Sequence, residues 1–205
     1  MARKTKEAAE RTRQQLIQAA RQTFHECGVS RTSLEKIAKV AGVTRGAVYW
    51  HFASKADLFF AMREQMSLPL LTRLFGLLLA EEFADPLEGI ERALNEFFHT
   101  LEECPEVRQI FEIMVSRCEY VDEFATVQAD ISRSALDFLG KVEVAYRRAQ
   151  ERGTLRHGLE PRIIALDTWA FSCGLFHNLL VGCPDEAWRR QIPEIIAAHI
   201  ALRRR

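Results

Sequence analysis

The sequence predicts an all-α protein, with an N-terminal three-helix unit ahead of a larger C-terminal helical unit and about nine helices in all. Three observations predict it. Apolar residues recur at three- and four-residue spacings along almost the whole chain, the period of a helix face. No stretch alternates apolar and polar residues as a half-buried strand would. Ser, Thr, Asp, Pro and Gly fall where helices need to begin or end. The chain has 205 residues, 48% hydrophobic and 27% charged, enough for one large or two smaller cores. The expected division is 1–54 and 55–205.

Leu16, Ile17, Ala20 and Phe24 mark the first helix, which Gly28 stops. Thr32 and Ser33 can cap the second, whose inner side carries Leu34, Ile37, Ala38 and Ala41; Lys36 stands where a capping box would have Glu. Gly42 ends that helix, Val43 dips inward, and Thr44 caps a very short third helix ending near His51. Ser54 caps a longer fourth helix through Leu58, Met62 and Met66, which Pro69 is placed to kink. Asp85-Pro86, a cap followed by proline at the first helical position, opens a helix with Leu87, Ile90, Leu94, Phe97 and Leu101 inside. Pro105 opens another, to about Cys118, and a long helix is expected from near Asp122 to Arg152, stopped by Gly153. Pro161 starts an apolar helix that Pro184 ends, and a last helix after Pro193 sets Ile196 and Ile200 on one face.

Charge divides the chain. Residues 1–55 hold eleven Lys or Arg against four acids, a net of +7, and since the whole chain has 28 of each sign the remainder carries −7. A basic head on an acidic body points to a polyanion at one end. Five scattered cysteines, without a C-x-x-C pair, argue against a disulfide framework or zinc site and read as small buried apolar residues. No G-x-S-x-G, Gly-rich phosphate loop, H-E-x-x-H or carboxylate–histidine cluster occurs, so neither catalysis nor a metal or cofactor is expected. No basic segment followed by an apolar run opens the chain, so no secretory signal is expected. The longest apolar stretch, Ile163 to Cys183, contains Asp167, Thr168, Ser172, His177 and Asn178. Those groups would be costly in hydrocarbon, so a buried or interface helix is expected rather than a membrane span, in a cytoplasmic protein.

The three short helices, the second and third joined by Ala41-Gly42-Val43, have the form of a helix-turn-helix, which reads double-stranded DNA with its second helix in the major groove. Gly42 can take the left-handed conformation a tight reversal needs. With Ile37, Ala38, Val43 and Val48 turned inward, the outer face keeps Thr44, Arg45, Gly46, Ala47, Tyr49 and Trp50. Gly46 and Ala47 let the backbone approach the groove, and Arg45 can reach a guanine edge or a phosphate. Tyr49 can donate to a phosphate; the alternative for Tyr49 and Trp50 is packing on neighbouring helices. Thr32 and Ser33 can offer hydroxyls to the other side of the groove, His51 a phosphate contact. Nothing in folding calls for a cation at Lys55, whereas a phosphate there would.

The run from Thr32 to Phe52, followed by Lys55 and Asp57-Leu58-Phe59, resembles the DNA-binding signature of the TetR family of repressors. The start Met1-Ala2-Arg3-Lys4-Thr5-Lys6 and the stretch Cys118 to Phe124 with Val127-Gln128 resemble the AcrR-like subgroup, repressors of multidrug efflux pump genes. The resemblance implies a nine-helix Ω-shaped homodimer joined through the last two helices, here about 162–181 and 187–202. It also implies repression of an efflux operon, relieved when a hydrophobic drug-like inducer enters the C-terminal part.

Residues 56–205 hold eleven of the thirteen Phe, two of the three Trp and three of the four Met, material for an apolar small-molecule site. Phe97, Phe98, Phe111, Met114, Trp169 and Phe176 are candidate walls, with Glu119 and Gln128 as polar anchors; each has core packing or a surface role as its alternative. The competing function is a DNA-binding regulator governed by cysteine oxidation or by a partner protein.

Overall fold

A computed structural model of the protein describes residues 2–182 and 186–205. Cys183 and Pro184, the expected stop of the apolar helix, lie outside the described residues, as do the side chains of residues 2–5 and of Met66. The helices are α1 (Ala2–Cys27), α2 (Leu34–Ala41), α3 (Arg45–His51), α4 (Lys55–Leu79), α5 (Pro86–Glu103), α6 (Pro105–Glu112), α7 (Ala125–Glu151), α8 (Pro161–His177), α9 (Glu186–Arg190) and α10 (Ile192–Ala201). Wider π-type turns extend α6 through Ile113–Arg117 and α8 through Asn178–Gly182. Among the described residues there is no strand, only an isolated bridge between Leu155 and Arg204.

The expected starts at Pro86 and Pro161 are the observed ones. Asp85 accepts from the Leu87 N–H ahead of Pro86, and Glu160 accepts from the Arg162 and Ile163 N–H groups ahead of Pro161. α4 runs on through Pro69 to Leu79. One expectation changes. The last helix, expected over 187–202, is interrupted at Gln191, so that α9 stops and α10 restarts with Pro193 in its first turn.

Contacts divide the chain into two compact units, one comprising the residues up to Leu68 with Glu106–Ala129, the other Pro69–Pro105 with Asp130–Arg205. In the first, α1 buries Leu16, Ile17, Ala20 and Phe24 against α2, which buries Leu34, Ile37 and Ala38. The segment after α6 closes on the same core: Phe124 meets Phe59 edge-on at 5.5 Å, Val29 N–H donates to the Arg117 carbonyl at 2.8 Å, and His25 bonds Glu112 at 2.7 Å.

In the second unit α5 packs on α10 and crosses the end of α4 closely at Gly89, where a methyl group would stand 2.6 Å from the Leu77 carbonyl oxygen. A polar chain runs beneath α8. Tyr146 and Thr168 share a hydrogen bond of 2.7 Å, Thr168 pairs with His199 at 3.2 Å, and buried Arg203 binds Asp167 and the His199 carbonyl. The His199 ring stacks on Phe171 at 3.7 Å. Burial first, then the Arg203 charge, lowers the His199 pKa from 6.5 to about 4, against the opposing Asp167. The unfolded chain therefore binds this proton more readily than the folded one, so the stability contribution is complete above pH 6.5 and is lost as pH falls toward about 4. Denaturant unfolding of the wild type is expected to show that loss, and His199→Gln to flatten it; identical pH profiles would contradict the assignment.

Candidate nucleic-acid interface

The geometry of residues 32–52 follows from local chemistry. Ser33 caps α2, its hydroxyl accepting from the Lys36 N–H at 3.2 Å. Gly42 closes α2 at φ 69°, ψ 27°, in the left-handed region, and Val43 N–H returns to the Ala38 carbonyl at 3.0 Å. Thr44 then caps α3 by accepting from the Ala47 N–H at 3.2 Å. Of the seven residues of α3 only Val48 is buried. Phe52 behind it is buried too, with the Arg13 guanidinium 5.5 Å from its ring centre.

What faces outward is Thr44, Arg45, Gly46, Tyr49 and Trp50, with Ala47 and His51 half-buried. Trp50 is 73% exposed and Tyr49 47%, so packing on neighbouring helices does not account for either ring. Trp50 meets His51 edge-on at 4.5 Å. Burial first, then Arg13, pushes the His51 pKa down against Glu10. Arg45 Nε lies 3.1 Å from a Glu35 carboxylate oxygen, and its Cζ is 5.4 Å from the Tyr49 ring centre. A Cβ on Gly46 would meet nothing nearer than 3.9 Å, so no contact within the chain requires a glycine there.

Two residues of the expected contact set have partners within the chain. Thr32 is only 3% exposed, and its hydroxyl donates to the Gly28 carbonyl at 2.8 Å, holding the turn after α1. Its side chain is therefore not on the open face with Ser33. Lys55, expected to be idle in the fold, donates to the Val29 carbonyl at 3.0 Å and sits 5.6 Å from the Phe124 ring centre. Thr32→Val is expected to lower stability by about 1–3 kcal/mol, the cost of stranding buried acceptors, while DNA affinity per folded molecule stays unchanged. Denaturant melts beside a binding titration check both halves.

The hydrophobic candidates fall into both units. In the second, Phe97 packs edge-on against Phe98 at 5.3 Å and lies 5.7 Å from Phe176, while Trp169 lies 6.0 Å from Phe138. In the first, Met114 is buried and its carbonyl accepts from the Tyr120 hydroxyl at 2.7 Å, which burial holds protonated by pushing its pKa up. Phe111 is half-buried; Glu119 and Gln128 are exposed. Sequence reasoning missed Glu35, Arg13 and Tyr120. No local pattern marks them, because each acquires its partner only through a turn or a helix crossing.

A seven-residue helix held outward by a left-handed turn, with arginine and aromatic side chains on its open face, defines a helix-turn-helix DNA-binding regulator. Residues 16–62 match the family described as bacterial regulatory proteins, tetR family, and residues 85–203 match the C-terminal region of MAATS-type transcriptional repressors. The chain belongs to the TetR family. It is 35% identical over 185 residues to the HTH-type transcriptional regulator TtgR of Pseudomonas putida, covering 90% of this chain and 87% of TtgR. Among solved structures it is similar to NalD, the secondary repressor of the MexAB-OprM multidrug efflux pump in Pseudomonas aeruginosa, with TM-score 0.83, 34% identity and coverage of 96% and 98%. It is also similar to SmeT, the repressor of the Stenotrophomonas maltophilia pump SmeDEF, in its complex with triclosan, with TM-score 0.78, 30% identity and coverage of 95% and 92%.

Proposed function

We propose that this protein is a ligand-responsive repressor that binds operator DNA as a homodimer, controls a multidrug efflux operon and is released by hydrophobic small molecules. The observation that carries the DNA half is the exposed Arg45, Tyr49 and Trp50 face of α3, which leaves three large side chains out of the core. Ser33, Thr44, Arg45, Gly46, Ala47, Tyr49, Trp50 and His51 form the contact set, and Lys55 and Thr32 support it from behind. In function, residues 1–54 read DNA and 55–205 sense and dimerise. Full-length similarity to efflux-pump repressors, one of them bound to triclosan, supports the ligand class. Phe97, Phe98, Phe176 and Trp169 supply apolar wall in the second unit, and Phe111 and Met114 in the first.

The exposed apolar residues Ile163 and Leu166 of α8 support pairing with a second copy, and a cytoplasmic place follows from binding DNA. An inducer needs only a preference of about 1–3 kcal/mol for the state that does not bind DNA to give a 5–150-fold response.

A second reading, control by thiol oxidation, is favoured by one contact. Lys36 Nζ donates to the Cys27 sulfur at 2.9 Å, where α1 ends beside α2. Fluorescence-anisotropy titration of the intergenic DNA beside the gene, at fixed salt, separates the readings. Tight binding weakened by one class of hydrophobic antibiotic or dye supports the first. Tight binding lost on peroxide treatment and preserved by Cys27→Ser supports the second. Absence of specific binding overturns both.

A further inference from the structure

Glu35 stands in the first turn of α2, on the same open face as the DNA contacts, and nothing above assigns it a role. An acid on a surface that meets phosphates opposes binding through repulsion. Nor does it serve stability to any extent, because the Glu35 and Arg45 side chains are 46% and 66% exposed and such pairs are worth little. What distinguishes it is its target. The Gly42 turn brings Glu35 to Arg45 across ten residues of sequence, and the contact is made through Nε at 3.1 Å.

An arginine can offer a bidentate pair from its Nε–Nη side or from its Nη1–Nη2 end. With Nε engaged by Glu35, the first of these is taken. The Arg45 Cζ also lies over the Tyr49 ring, 5.4 Å from its centre. We propose that Glu35 is a positioning residue for base readout: it tethers Arg45 so that the Nη1–Nη2 end meets a guanine in the major groove instead of swinging to the nearest phosphate. The assignment rests on the DNA-binding reading above. Glu35 is suited to this because its carboxyl stays ionised: the backbone N–H at the start of α2 lowers its pKa most, and Arg45 and the Ser33 hydroxyl lower it further, outweighing burial. Its charge also keeps phosphates away from the tethered group, so it trades general affinity for discrimination.

The test is selection from a library of randomised duplexes with wild type, Glu35→Gln, Arg45→Ala and the double variant, followed by titration of the winning duplex and of its single-base variants at two salt concentrations. Thermal melts of each variant establish that it is folded. Wild type is expected to prefer one guanine per half-site by about 5- to 150-fold, the range of a good bidentate pair. Glu35→Gln is expected to reduce that preference to within about threefold while binding unrelated duplexes at least as tightly as wild type, and in the Arg45→Ala background to change the preference no further. Equal base preference in Glu35→Gln and wild type overturns the assignment and leaves the DNA-binding reading standing. Uniform weakening on every duplex also overturns it, since that is what a merely structural residue would give. A wild type that enriches no sequence overturns both.

Discussion

A protein carrying Leu166→Glu is expected to fold as the wild type does, to sediment as a monomer, and to bind a two-half-site operator more than about 100-fold less tightly. Leu166 and Ile163 are exposed on α8, with Leu202 exposed just beyond α10. The segment Pro161–Gly182 has a mean hydropathy of 1.3 and is long and apolar enough to cross a membrane by length and composition, yet only 28% of its apolar window is buried within the chain. So much uncovered apolar surface needs a partner, and the proposal above covers it with a second copy. Such an interface is isologous, so one substitution acts twice, and each new carboxylate joins Asp167 on a surface being dehydrated. Within the protomer the change is at an exposed site and should alter stability by no more than about 0.5 kcal/mol. Operator binding falls because the second half-site is no longer held at high effective concentration. Sedimentation equilibrium and anisotropy measure the two effects. A Leu166→Glu protein that remains dimeric with full affinity would place the dimer contact elsewhere, and wild-type protein that partitions into vesicles instead of dimerising would assign the face to lipid.

Gly89→Ala is expected to cost about 2–4 kcal/mol, among the larger effects of a single methyl group. The added Cβ would stand 2.6 Å from the Leu77 carbonyl oxygen and 3.3 Å from Phe83 Cδ2. The first of these is backbone in the last turn of α4, so no rotamer change relieves the clash. The two helices must separate, and the buried contacts of Leu87, Ile90 and Leu94 along α5 loosen with them. For a chain of this length the loss corresponds to a melting temperature lower by roughly 5–15 °C. Gly76 provides the contrast: it is exposed in α4 and a Cβ there meets nothing within 4 Å. Gly76→Ala should therefore stabilise by about 0.5–1 kcal/mol through helix propensity alone. Calorimetry on the pair checks the sign of each change, and a Gly89→Ala protein that melts with the wild type would show that α4 and α5 are not in close contact there.

Much of the fold was legible in the residues because it is encoded over one or two helical turns. The caps Ser33, Thr44, Asp85 and Glu160 precede the helices they start, and the left-handed Gly42 stands where the chain must reverse. Of these, Glu160 alone is not marked by its residue type, and Pro161 beside it carries the stronger signal. The inward faces of α1, α2 and α3, from Leu16 to Val48, follow the same 3.6-residue arithmetic. So does the open face carrying Arg45, Tyr49 and Trp50, since fixing the inner side of a short helix leaves little choice for the outer.

Tertiary contacts decided the rest. Thr32 looked like a surface hydroxyl and became a buried donor because the Gly28 carbonyl lies against it. Lys55 looked unneeded until Val29, 26 residues earlier, presented its carbonyl. The grouping of Glu106–Ala129 with the N-terminal residues depends on pairs such as His25 and Glu112, which are 87 residues apart. Periodicity reports which side of a helix is apolar, and it does so because hydrophobic burial is non-directional and repeats along the element. A hydrogen bond or ion pair instead requires two particular atoms to meet within about 3 Å, and which distant atom arrives is set by the packing of the whole unit.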